Sequence, residues 1–345
     1  MKRNDWLLMI LSCLILLGAF VGLFQYRSAH APESAPVPTP VEEPKVTGPH
    51  VQLRITKDFG AATVLDKPIP IQSGETVMDV LKRSGLELKT GYGGGFVESL
   101  GGLASQYRPG DTTSKKLDWF FYVNGLTADV GAAEYPVNAG DVVWWDYHNW
   151  DYAISTPAVI GAYPHPFRPR AEGETPVPLV IMAAKGFEAQ AEHVAKSVHS
   201  VRRDEVKTLP WDEQLLSRES AFILVGDAKG LLSSAFIREL WQAKQNQGLF
   251  AGLTTEGIDA IDVFGQVKAR YNESGTGLLL ATVHPVTRYP IWIVSGTDGE
   301  GVEQAAKRLE KTSENQTSLS GFFGAIVNGQ QIVRLPVVPN IGEAP

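Results

Sequence analysis

The segments LDWFFYVNG (117–125) and YPVNAGDVVWWDYHNWD (135–151) decide how the rest of the chain is read. They hold Trp119, Phe120, Phe121, Tyr122, Trp144, Trp145, Tyr147 and Trp150, with Tyr152 just beyond. Turn chemistry closes the first run at Asn124-Gly125 and precedes the second at Asn138-Ala139-Gly140-Asp141. β-favouring residues bounded by such turns predict two paired strands. Alternation places Trp119, Phe121 and Val123 on one face of the first strand and Phe120 and Tyr122 on the other. In the second strand Trp145 and Tyr147 share a face, opposite Trp144, Asp146 and His148. Both faces carry large rings, and exposed aromatic patches mark binding surfaces. The stretch has no nucleophile–base pair, metal spacing or phosphate loop, so binding is favoured over catalysis.

Working outward, GETVMDVL (74–81) predicts a short helix capped by Thr76 and stopped at Gly85. VQLRIT (51–56) reads as a strand, and a second is expected over 61–71. GYGGGFVESLGGLAS (91–105) reads as two short strands broken by glycines. Gly91 and Gly93–Gly95 lack the Lys-Ser/Thr of a phosphate loop and suit a tight turn, with Tyr92 and Phe96 as pocket walls. These pieces predict an α+β roll of the β-grasp kind over 50–152.

GETVMDVL (74–81), FVESLGGL (96–103), WFFYVNG (119–125) and the spaced Tyr135, Gly140-Asp141, Trp144 and Tyr147 occur in that order. Together they resemble the bacterial domain family related to the C-terminal domain of transcobalamin and intrinsic factor. The resemblance covers about 50–152. It implies a fold of the soluble-ligand-binding β-grasp superfamily and a ring-bearing, cobalamin-like ligand. Tyr92, Phe96, Trp119, Tyr122, Trp145 and Tyr147 are the candidate ligand-binding residues. No resident cofactor and no metal are expected.

The 345 residues are 43% hydrophobic and 20% charged, as in globular chains. A net charge of −7 argues against a nucleic-acid partner, which calls for excess Lys and Arg. The one cysteine, Cys13, precludes an intramolecular disulfide. None of the seven histidines forms an HxH or HxxxH pair, and His148 beside Asp146 reads as a cross-strand contact before an acid–base pair. After a cytoplasmic tip (1–5), the apolar run 6–24 would span about 28 Å as a helix, which predicts a single-pass anchor with the bulk of the chain outside the cytoplasm. A cleaved signal ending near Ala31 is the alternative. Residues 25–49 read as a Pro-rich stalk and 153–177 as a Pro-rich linker, part of which should pack back through Tyr163, His165 and Phe167.

From 178 to 345, apolar runs such as PLVIMAA, SAFILVGD, GLLLATVHP and PIWIVSG alternate with helical segments, which predicts an α/β domain with a mostly parallel sheet. The loops Gly226–Gly230 and Ser295–Gly301 lie at strand ends, with Asp298 a ready helix cap. The combined expectation is a membrane-anchored, non-catalytic ligand-binding protein. The alternative is a cell-envelope structural or interaction protein whose aromatic face docks a partner.

Overall fold

A computed structural model describes residues 47–338 apart from 171–173, 203, 205 and 311–318. The chain enters with β1 (His50–Lys57), turns through Asp58-Phe59-Gly60 and returns as β2 (Ala62–Pro70). α1 (Val77–Lys82) follows. Thr76 caps it: its hydroxyl accepts from the Asp79 amide while the Asp79 carboxylate accepts from the Thr76 amide, a reciprocal box that satisfies two orphan donors. Next come β3 (Leu88–Gly91), β4 (Phe96–Leu100) and β5 (Leu103–Ala104), then β6 (Leu117–Val123), β7 (Leu126–Thr127) and β8 (Val142–Asn149).

The first sheet runs β2-β1-β8-β6-β7. Only the β1–β8 pair is parallel. The β6–β7 turn places Asn124 at φ 55° and Gly125 at φ 81°, the left-handed pair that a two-residue hairpin demands. Asn124 holds this turn against the start of β8: its amide donates to Asp141 at 2.7 Å and its carbonyl accepts from the Val142 N–H at 2.9 Å. One face packs Leu53, Ile55, Trp119, Trp145 and Tyr147 against Val77, Val80 and Leu81 of α1. The other face carries Tyr122 and Trp144.

The remaining elements are β9 (Leu179–Ala183), α2 (Glu188–Arg202), β10 (Lys207–Pro210), β11 (Ala221–Val225), α3 (Ala228–Leu232), α4 (Ala235–Gln242), β12 (Ala251–Thr254), β13 (Gly257–Ile261), β14 (Val267–Tyr271), β15 (Thr276–Val283), β16 (Pro290–Gly296), α5 (Gly299–Lys307), β17 (Gly324–Asn328) and β18 (Gln331–Leu335). A seven-stranded sheet runs β10-β9-β11-β16-β15-β17-β18. Its pairs are parallel as far as β16 and antiparallel from β16 to β18. β12–β14 form a separate antiparallel sheet, as do β3–β5.

This corrects the expected fold class. Among the described residues the chain is mostly β, with five α-helices and four mixed or antiparallel sheets, rather than a β-grasp domain joined to a parallel α/β domain. Connection length explains the C-terminal half: residues 284–289 are too few for the dozen-residue crossover that a parallel β15–β16 pair would need. In the N-terminal part, β3–β5 pair among themselves instead of extending the first sheet. The single-pass membrane location is also withdrawn. Among the described residues no helix is long and apolar enough to cross a membrane, and the run 6–24 lies outside them.

The described residues of the two halves share a core within one compact unit. Phe59, Tyr122 and Trp144 pack with Phe222, Phe250, Leu278, Ile293 and Phe323. Phe323 is the hub, its ring centroid 5.0–5.4 Å from those of Phe59, Tyr122 and Trp144. Gly60 makes the closeness possible: it sits at φ 76°, and a Cβ there would collide with the Gly321 carbonyl. Arg54 ties the same seam, donating to the Gly161 carbonyl at 3.1 Å and the Ser320 hydroxyl at 2.7 Å. In the Pro-rich passage Val159 joins this shared core, while Ile160, Tyr163 and Phe167 pack on the opposite face of the seven-stranded sheet, with Phe167 5.0 Å from Trp292.

Candidate ligand-binding cleft

The candidate rings on both faces of the first sheet are covered. Trp119, Trp145 and Tyr147 lie buried in the core beneath α1, and Tyr122 lies buried in the core shared with the C-terminal half. Tyr92 opens the short 3₁₀ turn Tyr92–Gly94, in which Gly93 and Gly94 take positive φ. The Tyr92 side chain lies outside what the structure describes, and among the described candidates Phe96 reaches a cavity.

That cavity is a cleft of about 850 Å³ between the β3–β5 sheet, the start of β6 and the residues after β8. β6 builds one wall. Alternation sends Trp119 and Phe121 towards α1 and turns Asp118, Phe120 and Tyr122 the other way. Along that second face Tyr122 runs under the C-terminal half, whereas Asp118 and Phe120 emerge into the cleft. β4 supplies Phe96 and Glu98 to the opposite wall, its alternate residue Val97 being buried. Tyr107, Trp150 and Ile154 add to the apolar lining, and Ile154 is 75% exposed at the rim.

The buried candidates support this cleft from behind. Trp119 donates its indole N–H to the Leu103 carbonyl at 2.9 Å, and Tyr147 donates its hydroxyl to the Ala104 carbonyl at 2.7 Å. Both bonds fix β5, whose Ala104 forms part of the lining. Tyr107 and Trp150 meet edge-on at 4.9 Å. Phe120 stacks at 4.4 Å on His148, which stacks on Phe59 at 4.2 Å. This file of rings makes the Phe120 wall stiff.

The acids divide by role. Asp146 is fully buried and accepts from the Phe59 and Gly60 amides at 2.9 and 3.0 Å and from the Thr56 hydroxyl at 2.9 Å, with His148 Nδ1 at 3.2 Å. The Asp146–His148 pair, buried as it is, therefore anchors the β1–β2 turn. Asp227 and Asp298 are both taken up as helix caps, on the Gly230 and Gly301 amides respectively. Asp118 differs. Its carboxylate accepts from the Trp119 amide at 2.8 Å, yet burial pushes its pKa above the ordinary carboxylate value. Among the described residues no group of three or more His, Cys, Asp or Glu side chains is arranged to hold a metal.

Asp118, Phe120, Tyr107, Trp150 and Ile154 were not singled out from sequence as ligand contacts. The available signal was the shared face of Asp118, Phe120 and Tyr122, which alternation reveals without showing where cover ends.

A family model described as "Domain of unknown function (DUF4430)" matches residues 74–149. No curated protein matches the chain. Among solved structures the chain is similar to one from Ruminococcus gnavus ATCC 29149 described as "a putative metal binding protein", with 13% identity over 30% of this chain and 98% of that one. The TM-score is 0.22, a likeness too loose to carry an argument about fold or ligand.

Proposed function

We propose that this chain is a non-catalytic binding protein for a ring-bearing small molecule, held in the cleft beside β4 and β6. The observation that carries this reading is the cleft itself: about 850 Å³, walled by Phe96, Tyr107, Phe120 and Trp150, with a few acidic groups at defined places. Cavities of this size with aromatic walls and sparse polar groups are the usual form of small-molecule sites. The resemblance of this region to the transcobalamin-related family points the same way and makes corrinoids the first ligands to try.

The alternative, a structural or interaction protein docking through its aromatic face, would need a different surface. Tyr122 and Trp144 are already covered by residues of the same chain.

Titration of the full chain with hydroxocobalamin, riboflavin and haem, followed by tryptophan fluorescence, tests the proposal. A saturable change is expected with at least one, and Ala104→Trp, which fills the cleft, should abolish it. Val64→Trp on the exposed strand β2 serves as the control. Binding unaffected by Ala104→Trp would place the ligand elsewhere and refute the assignment.

A further inference from the structure

Resting on that reading of the cleft, we infer that its ligand is an organic cation with a flat apolar body, and that Asp118 and Glu98 read the charge. Four charged side chains line the cleft: Glu87, Lys89, Glu98 and Asp118. Lys89 is paired with Glu87 at 3.2 Å, which leaves Glu98 on β4 and Asp118 on β6 as the further lining carboxylates. The nearby Lys116 ammonium lies over the Trp150 ring at 5.4 Å and is paired with Asp151 at 3.2 Å.

Asp118 is nine-tenths buried, on the same strand face as Phe120. A carboxylate withdrawn from water that far is stabilised by a positive charge brought to it. The ring walls favour the same partner, because the negative faces of Trp, Tyr and Phe attract cations while repelling anions. Phe120 is backed by His148 and Phe59, so its face is fixed for stacking. An anionic ligand would meet two carboxylates set among the rings of Phe96, Tyr107, Phe120 and Trp150.

The test uses the full chain and three matched probes: (pyren-1-ylmethyl)trimethylammonium, pyren-1-ylmethanol and pyrene-1-carboxylate. They share a ring system and differ in charge. Calorimetry at low salt should show the cation bound about tenfold or more tighter than the alcohol, as expected for a charge-assisted contact, with the carboxylate weakest. Added salt should narrow the gap. Glu98→Gln and Asp118→Asn should each bring the cation-to-alcohol ratio towards one. The exposed site of Glu98 keeps the test valid if Asp118→Asn folds poorly.

Alcohol or carboxylate binding as tight as the cation would overturn the charge assignment and leave the cleft as a binding site. An unchanged ratio in Glu98→Gln together with a folded Asp118→Asn would also overturn it. Binding of none of the three would overturn both the charge assignment and the cleft.

Discussion

Phe323 offers the sharpest test of how the two halves hold together. Its ring is 3% exposed and meets Phe59, Tyr122, Trp144 and His148 at centroid distances of 5.0–5.6 Å. Phe323→Ala removes that ring from a site whose walls come from three separate segments and cannot all collapse inward, so a loss of about 3–5 kcal/mol is expected. Phe323→Leu keeps most of the apolar volume and forfeits mainly the edge-to-face geometry, at about 1–2 kcal/mol. With a urea slope of ~3 kcal/mol/M, the alanine variant should lose about 1 M or more in unfolding midpoint and the leucine variant about half as much or less. Urea unfolding followed by tryptophan fluorescence reads both. A Phe323→Ala midpoint indistinguishable from that of the parent chain, or a leucine variant as damaged as the alanine one, would show that the ring hub is not what joins the halves.

Asp146→Asn sets an amide N–H₂ against the Phe59 or Gly60 amide whichever way it turns. A loss of about 2–4 kcal/mol should appear in thermal unfolding. His165 is buried, and desolvation, helped by the Arg168 charge, lowers its pKa from 6.5 to about 3. The unfolded chain then binds a proton between those values that the folded chain refuses, so stability is complete above pH 6.5 and falls as pH drops towards 3. Between pH 7 and 5 the fall from this group is about 2 kcal/mol, and His165→Leu should flatten that part of the stability–pH curve. Asn124→Ala keeps the left-handed backbone without its favoured residue and loses the bonds to Asp141 and Val142, at about 2–3 kcal/mol. Asn124→Gly, which relieves only the backbone, should recover part of the loss in the same denaturation assay.

Local features were the legible ones. The Thr76 box, the Asn124-Gly125 turn and the alternation in 117–123 depend on neighbours in sequence, and each is visible in the residue order. Sheet direction was harder to read. Every residue of β15 and β16 is buried, and a strand covered on both faces reads alike whether its partner is parallel or antiparallel. The six-residue spacing between them was the overlooked signal. The cleft was not legible because no segment contains it: Phe96, Asp118 and Trp150 come from three places that only the tertiary fold assembles. Rings alone also gave no sign that Tyr122 is covered while Phe120, two residues earlier, meets a cavity. The apolar residues inside the Pro-rich passage did carry a signal, since a solvated spacer has no use for Tyr163 and Phe167.

The core shared by the two halves implies a mismatch between inheritance and self-sufficiency. A piece ending near 152 would carry Phe59, Tyr122 and Trp144 on one sheet face with nothing over them. Released alone, such a piece should self-associate or recruit a substitute cover. A protease nick between the halves should leave both fragments co-migrating until denaturant separates them. Recombination that moves the aromatic segment into another protein would therefore have to bring a lid with it.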